Sequence, residues 1–177
     1  MDRKALHKLS YGLYIVSAQK EKRPNGQIAN AVIQVASDPP LVAVSINHQN
    51  LTHEFIEAAQ GFTISILAQE TPMEFIGRFG FRSGRDIDKF EGINYRSGST
   101  GLPIVLDHTV GWLELNLIDK LDVRTHTLFI GQVVDAEVLS DDPTLTYEHY
   151  HKVKKGRAPK TAPTYREIEI RHQKLEV

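Results

Sequence analysis

The sequence contains no cysteine among its 177 residues, and this absence excludes several kinds of chemistry at once. There can be no disulfide, no thiolate zinc site, no cysteine-ligated iron–sulfur cluster and no cysteine nucleophile. The sequence also lacks a long apolar run, and its first residues have no apolar signal core. We therefore expect neither a membrane span nor a secretory leader, and a cytoplasmic protein is the default.

The chain also has no excess of charge of one sign. Twenty-one basic residues face twenty-two acidic ones, for a formal net charge of −1. No overall field would attract nucleic acid or an anionic membrane, so neither is an expected partner. With 41% hydrophobic and 24% charged residues, residues 1–177 have the composition of a single globular domain.

Basic residues are nevertheless concentrated late in the sequence. From about residue 148 the chain becomes basic, and glycine and proline interrupt its pattern, which predicts an extended basic arm. Two roles stay open for this arm: a solvated tail, or a segment that docks an anionic cofactor or partner. Five basic residues lie within nine positions without an acid among them: Lys152, Lys154, Lys155, Arg157 and Lys160.

The apolar runs are short and rich in Val, Ile, Leu and Phe, which is typical of β-strands. One helix is expected from Asn50 or Thr52 to Ala59, and another after the capping box Thr71-Pro72-Met73-Glu74. Six strands with so few helices favour a mainly β barrel over a wound parallel sheet. The predicted strands are residues 11–18, 27–36, 41–46, 62–66, 110–121 and 126–139.

Three connecting segments lead to more specific predictions. Pro24-Asn25-Gly26 predicts the tight turn of a hairpin, because Asn-Gly readily adopts positive backbone angles. Asp38-Pro39-Pro40 is expected to prevent both helix formation and strand pairing. Residues 77–101, which are rich in glycine, arginine and aspartate, are expected to form an irregular functional loop.

Several common catalytic signatures are missing from the sequence. Gly77, Gly80 and Gly84 do not match the dinucleotide fingerprint, which needs a strand before its first glycine. His53-Glu54 lacks the second histidine of a zinc protease, because Glu57 stands at that position. No set of residues has a convincing metal-ligand spacing, so no metal site is predicted.

Small polar residues remain at the ends of predicted elements. Ser45 and Asn47 end a buried strand, and residues 50–53 open a helix whose free N–H groups can bind an anion such as phosphate. Asn50 and Thr52 are also ordinary helix caps, so the alternative of simple capping stays open.

The predicted loop and the last strand add further candidates. Arg82, Ser83, Arg85 and Lys89 could neutralise a phosphate or a carboxylate, or they could be solvated loop charges. His126 begins the last long strand, where a histidine is either a structural hydrogen-bonding residue or a catalytic one.

Several stretches of the sequence together resemble the flavin reductase-like family of FMN-binding split barrels. The branch that they resemble includes flavoredoxin-type and ferric reductase-type proteins and the flavin domain of high-molecular-weight rubredoxins. Each motif is weak alone, but together they cover nearly the whole chain. The stretches are residues 25–30, 37–47, 50–54, 79–90, 126–131, 150–156 and 162–165.

The resemblance implies a split β-barrel with short peripheral helices, and a homodimer with one FMN per subunit near the interface. His126 would stand where the flavin and a nicotinamide meet, as the candidate catalytic residue. The isoalloxazine ring would lie along Asn30, Ala31, Val32 and Gln34. The residues around the ribityl phosphate would be Ser45, Ile46, Asn47, Asn50, Thr52 and His53. Those closing over the cofactor would be Phe81, Arg82, Ser83, Arg85 and Lys89.

The function that the resemblance implies is an FMN-dependent oxidoreductase. It would accept a hydride from NADH or NADPH at flavin N5 and reduce free flavin, ferric iron or a redox protein. One alternative is an electron-transfer flavoprotein without its own nicotinamide site, and another is a split barrel that binds haem or a pyridoxal phosphate compound. Rubredoxin fusions carry a cysteine-rich iron domain, so any rubredoxin-like partner of this cysteine-free chain is expected to be a separate protein.

Overall fold

The computed structural model describes residues 2–165 and confirms a mainly antiparallel β architecture. The described helices are a 3-10 turn at Arg3–Lys8 and the α-helices α1 (Leu51–Ala59), α2 (Met73–Phe81) and α3 (Tyr147–Lys152). The strands are β1 (Tyr14–Lys20), β2 (Arg23–Ala29), β3 (Val32–Ser37), β4 (Pro40–Asn47), β5 (Gly61–Leu67), β6 (Tyr95–Ser97), β7 (Pro103–Val105), β8 (Thr109–Val123) and β9 (His126–Val138).

Seven strands pair in the order β2-β1-β5-β8-β9-β4-β3, and β6 and β7 form a separate two-stranded ribbon. The two edge strands, β2 and β3, follow each other in the chain, so the sheet curls round and remains open between them. This is the expected split β-barrel with short peripheral helices. No helix within residues 2–165 has the length and apolar character needed to cross a membrane.

Strand β1 is buried on both faces and links the two parts of the core. Successive side chains of a strand point to opposite faces. Val16 therefore packs inside the barrel with Phe129, while Ile15 packs outside it against Phe79 of α2. Burial of Phe79 fixes the end of α2 beside β2, which places the following loop over that edge of the barrel.

The predicted turn of the first hairpin was wrong by a few residues. The turn lies at Glu21 and Lys22, which both have positive φ angles of 51° and 66°, and residues 24–26 are inside β2. An edge strand tolerates Pro24, because the missing N–H is not needed for a second ladder. The predicted continuous strand over residues 27–36 is also interrupted, at Asn30 and Ala31.

Other local predictions need correction as well. Pro40 does pair with Ser37 across the β3–β4 hairpin, because proline can be the first residue of a strand. The predicted loop at 77–101 is shorter, since α2 continues to Phe81 and β6 lies within it. The predicted extended arm begins with the helix α3.

Glu114 is a fully buried carboxylate on β8 that fixes the turn before β7. It accepts hydrogen bonds from the backbone N–H and the hydroxyl of both Ser99 and Thr100. Burial alone would raise its pKa, but these four donors outweigh burial and hold the pKa below the ordinary value of a glutamate. The carboxylate is therefore a structural ion.

Candidate cofactor-binding site

A cavity of about 330 Å³ lies where β2, β4, the start of α1, the loop after α2 and the basic arm meet. This volume is in the range of small-ligand sites. The structure brings nine of the predicted cofactor residues to its walls: Asn30, Ser45, Asn47, Asn50, Thr52, Phe81, Arg82, Ser83 and Lys89.

Four of the other predicted cofactor residues have side chains that lie outside this cavity, and their part in binding stays a prediction. Ile46 is fully buried in the barrel core, because side chains alternate along β4. His53 points to the opposite face of α1, where its Nε2 lies 2.8 Å from Thr127 Oγ1. Gln34 is exposed on β3, and Arg85 forms an exposed ion pair with Glu54.

Ala31 and Val32 also lie outside the cavity lining. They follow β2 at the open edge of the barrel and are half-buried. The carbonyl of Ala31 accepts a hydrogen bond from the backbone N–H of Ser45, which does line the cavity. Ala31 thus supports the cavity wall through its backbone.

The floor of the cavity contains a buried hydrogen bond that sequence reasoning missed. Asn25 of β2 is only 3% exposed and donates from Nδ2 to Thr52 Oγ1 over 2.8 Å. Asn25 was interpreted as a turn residue, because an Asn-Gly pair usually marks a turn. The signal that could have identified Asn25 as a site residue is its position in residues 25–30, a stretch that resembles the flavin reductase-like family.

Helix α1 begins at this floor without a side-chain cap. Asn50 occupies the N-cap position, but its side chain accepts no hydrogen bond from the helix amides within residues 2–165. Thr52 lies inside the helix, and its hydroxyl is held by Asn25 instead. The interpretation of both residues as simple caps is therefore wrong, and the positive end of the helix faces the cavity.

Lys89 brings a buried positive charge to the same cavity. Its ammonium is only 5% exposed and donates to the carbonyls of Gly26 at 2.9 Å and Phe79 at 3.0 Å. Burial lowers its pKa to about 8. No carboxylate of residues 2–165 lines this cavity, whose charged lining residues are Lys89 and Arg82.

The rim of the cavity is open and combines apolar, charged and polar side chains. Phe81, Arg82 and Ser83 are exposed at the end of α2 and in the loop that follows. Gln27 lines the wall, and its buried Oε1 has no hydrogen-bond partner within the described residues. Gln27 was absent from the predicted set, although it lies in the same resembling stretch as Asn25.

The basic arm folds back and closes one side of the cavity. Pro159 and residues 161–163 line it, and Thr164 holds the arm in place. The Thr164 hydroxyl lies 2.8 Å from Asn30 Nδ2 and 2.7 Å from the hydroxyl of Tyr147. The alternative of a merely solvated tail is therefore wrong for this part of the arm.

His126, the candidate catalytic residue, lies beside the cavity and contacts the arm. It pairs with Asn47 across the β4–β9 ladder, but it is not itself a lining residue. Its Nε2 lies 3.2 Å from the carbonyl oxygen of Thr161, and its Nδ1 lies 2.8 Å from Thr125 Oγ1. A carbonyl oxygen can only accept, so Nε2 carries a proton and donates it to Thr161.

A second cavity of about 380 Å³, whose lining residues are all polar or charged, lies on the other face of α1. His53 lies there between Glu57, at 3.7 Å, and Thr127. Burial lowers the pKa of His53, and the nearby Glu57 only partly opposes this effect. Within residues 2–165 no group of His, Asp and Glu has a geometry that could hold a metal ion.

Comparison with known proteins shows where this architecture has been seen. Residues 6–155 match the family model described as flavin reductase like domain. The high molecular weight rubredoxin of Moorella thermoacetica is 59% identical over 165 residues, which cover 93% of this chain and 72% of that protein. The ferric-chelate reductase (NAD(P)H) of Archaeoglobus fulgidus is 50% identical over 165 residues, covering 93% and 98%.

A solved structure gives the same result for the fold. The FMN-binding protein of Thermus thermophilus, crystallised with p-hydroxybenzaldehyde, superimposes with a TM-score of 0.69 at 28% identity. The superposition covers 75% of this chain and 74% of that one. The family match spans most of the sequence and agrees with the split barrel. This chain therefore belongs to the flavin reductase-like domain family.

Proposed function

We propose that the cavity binds FMN and that the protein is an NAD(P)H-dependent reductase that acts through this flavin. The observation that carries the proposal is the unbalanced positive charge of the cavity. Lys89 is a buried ammonium, no carboxylate of the described residues lines the cavity beside it, and α1 starts there without a side-chain cap. A bound phosphate group would balance the charge of the Lys89 ammonium and accept hydrogen bonds from the free amides at the start of α1.

FMN fits the remaining walls better than a smaller anion would. The cavity extends from the polar floor at Thr52 to the arm side at Asn30 and residues 161–163. Exposed Phe81 offers an apolar surface for an aromatic ring, and the unpartnered Oε1 of Gln27 offers a hydrogen-bond acceptor. The similarity to the FMN-binding protein of Thermus thermophilus supports FMN as the flavin.

Bound FMN would supply hydride acceptance and electron release, and the protein would supply position and charge. Thr52, Lys89 and the start of α1 would hold the phosphate, while Asn30 and the arm would hold the ring side. The name of the Archaeoglobus relative supports NADH or NADPH as donor and ferric iron as acceptor. Free flavin is the other proposed acceptor.

We place His126 in this scheme as the candidate catalytic residue next to the ring. Its imidazole carries a proton on Nε2, which points at the Thr161 carbonyl while the arm is closed. The group could donate a proton or a hydrogen bond to a reacting flavin or nicotinamide only after the arm moves. Its catalytic role therefore depends on the movement of residues 159–164.

A homodimer is also part of the proposal. Large apolar side chains are exposed on β3, β8 and β9, including Ile33 at 58% and Leu121 at 58%. Exposed apolar surface of this kind is typical of an interface. We propose that a second copy of this chain covers it, with residues 1–177 acting as one flavin domain.

A separate redox protein is a further proposed partner. Lys160 lies between Pro159 and Thr161, which line the closed side of the cavity, so an acidic partner bound to the arm could approach the flavin there. The Moorella relative is named as a rubredoxin, which supports an electron carrier as that partner. Reduction of the partner should then slow as salt is raised, because exposed charges are screened over about 8 to 10 Å.

An anaerobic reduction assay tests the proposal. Purified protein loaded with FMN is mixed with NADH or with NADPH, and flavin absorbance is followed. We expect one of the two donors to bleach the flavin fully. If the protein keeps FMN but neither donor bleaches it, the alternative of an electron-transfer flavoprotein without its own nicotinamide site would be favoured. Failure to bind FMN would overturn the proposal and favour another planar ligand.

A further inference from the structure

Asn25 is the buried residue on which the polar floor of the cavity is built. It lies in β2, and its amide reaches across to Thr52 of α1 with a donor–acceptor distance of 2.8 Å. Both residues line the cavity, and they are only 3% and 1% exposed. The hydrogen bond therefore joins a sheet edge to the start of a helix where a ligand would sit.

The direction of this hydrogen bond determines what the floor offers to a ligand. Asn25 Nδ2 donates, so Thr52 Oγ1 accepts. A hydroxyl has a single proton, and that proton is then available to an acceptor in the cavity. With the N-terminal amides of α1 beside it, the Thr52 hydroxyl adds a hydrogen-bond donor to the floor.

We propose that Asn25 is a positioning residue that orients the Thr52 hydroxyl as a donor and so makes the site select a phosphate-bearing flavin. This inference rests on the proposed function. Asn25 acts through Thr52 and through the shape of the floor, rather than by carrying charge itself.

Gly84 shows that the loop after α2 is fitted to the same amide. A Cβ atom at Gly84 would lie 2.1 Å from Asn25 Oδ1 and 3.0 Å from Leu51 Cδ2, so only glycine allows this close approach. The guanidinium of Arg23 donates to the carbonyl of Gly84 and holds the loop there. Asn25 thus connects its own strand, β2, to the start of α1 and to the loop that carries Arg82 and Ser83.

The decisive variant is Asn25→Asp, which keeps the shape of the side chain. Its carboxylate only accepts, so the Thr52 hydroxyl must turn toward it, and a negative charge is added beside the phosphate. FMN and riboflavin share the ring and ribityl chain but differ in the phosphate. We expect FMN affinity to fall by at least roughly 10- to 150-fold, the range for losing one charge-assisted hydrogen bond, and riboflavin affinity to change little.

Asn30→Asp is the matched control, because it adds the same charge on the arm side of the cavity, away from Thr52. It should change the affinities for FMN and riboflavin by similar factors. Riboflavin binding with the wild-type stoichiometry reports that each variant is folded. Equal losses for both flavins in N25D, or the same FMN-to-riboflavin ratio in N25D and N30D, would overturn the inference.

A double-mutant cycle with Asn25→Ala and Thr52→Val makes the test independent of added charge. If Asn25 acts through the hydroxyl, N25A should cost FMN affinity in the wild type and almost nothing in T52V. Equal costs in both backgrounds would contradict the inference while leaving the proposed function intact. Wild-type protein that binds neither flavin would instead refute the proposed function.

Discussion

Lys89 is buried beside the proposed phosphate site, so FMN affinity should depend on whether its ammonium is charged. In the free protein burial lowers the pKa of Lys89 from 10.5 to about 8. A phosphate dianion next to the ammonium favours the charged form and raises that pKa in the complex. FMN binding therefore takes up a proton at any pH between the two pKa values.

The size of the effect follows from the pKa difference. Below pH 8 Lys89 is charged with or without FMN, so its titration should not change the FMN affinity there. As the pH rises through about 8, affinity should fall by up to tenfold for each pH unit. If the phosphate restores the pKa to 10.5, the total loss would be about 300-fold.

The assay is a fluorescence titration of FMN from about pH 7 to about pH 10, where the phosphate is already a dianion. Riboflavin carries the same ring and reports any titration of the flavin itself. Lys89→Met keeps an unbranched side chain without the charge, and it should abolish the extra pH dependence of FMN. Parallel curves for FMN and riboflavin, or an unchanged FMN curve in K89M, would refute the reasoning.

Three further predictions concern the ring side, the arm and the fold. His126→Ala should slow anaerobic reduction of the flavin by NAD(P)H in stopped-flow traces while FMN stays bound. Thr164→Val removes the hydroxyl that holds the arm, and FMN should dissociate roughly fivefold faster or more, measured by displacement. Glu114→Gln should lower the free energy of unfolding in urea at pH 7 by about 2 kcal/mol, because the ionised acceptor of Ser99 and Thr100 is lost. Glu114 has a lowered pKa in the folded state, so its contribution exists above the unfolded pKa and should vanish as the pH falls through the folded value.

Each of these predictions can fail in a recognisable way. An unchanged reduction rate in H126A would leave His126 as a structural contact of the arm. Unaltered FMN dissociation in T164V would mean that the arm does not retain the cofactor. A stability difference between wild type and E114Q that stays constant into acid would contradict an ionised Glu114.

The fold was predictable because period-two apolar patterns and scarce helix signals determine a β-barrel. The roles of the residues that build the cavity floor were harder to predict, because they depend on contacts between residues that are distant in sequence. Asn25 meets Thr52 from another element, and Lys89 is buried by β2 and α2. Local pattern predicts a turn at Asn25 and leaves Lys89 open between an anion-binding residue and a solvated charge. Only the packing of α2 against β1 brings these residues together.

A similar limit explains why some of the predicted side chains lie outside the cavity. His53 and Thr52 are adjacent in α1, so they point about 100° apart and face different cavities. Ile46 and Ser45 are adjacent in β4 and face opposite sides of the sheet. A resemblance identifies the correct segment but does not by itself say which of two neighbouring side chains faces the ligand.

A crystal structure of the protein with FMN tests the central claim most directly. The account predicts the FMN phosphate within hydrogen-bond distance of Thr52 Oγ1 and the first amides of α1, with Lys89 beside it and the ring toward Asn30. A flavin in the polar cavity at His53, or a phosphate turned away from Thr52 and Lys89, would contradict the account.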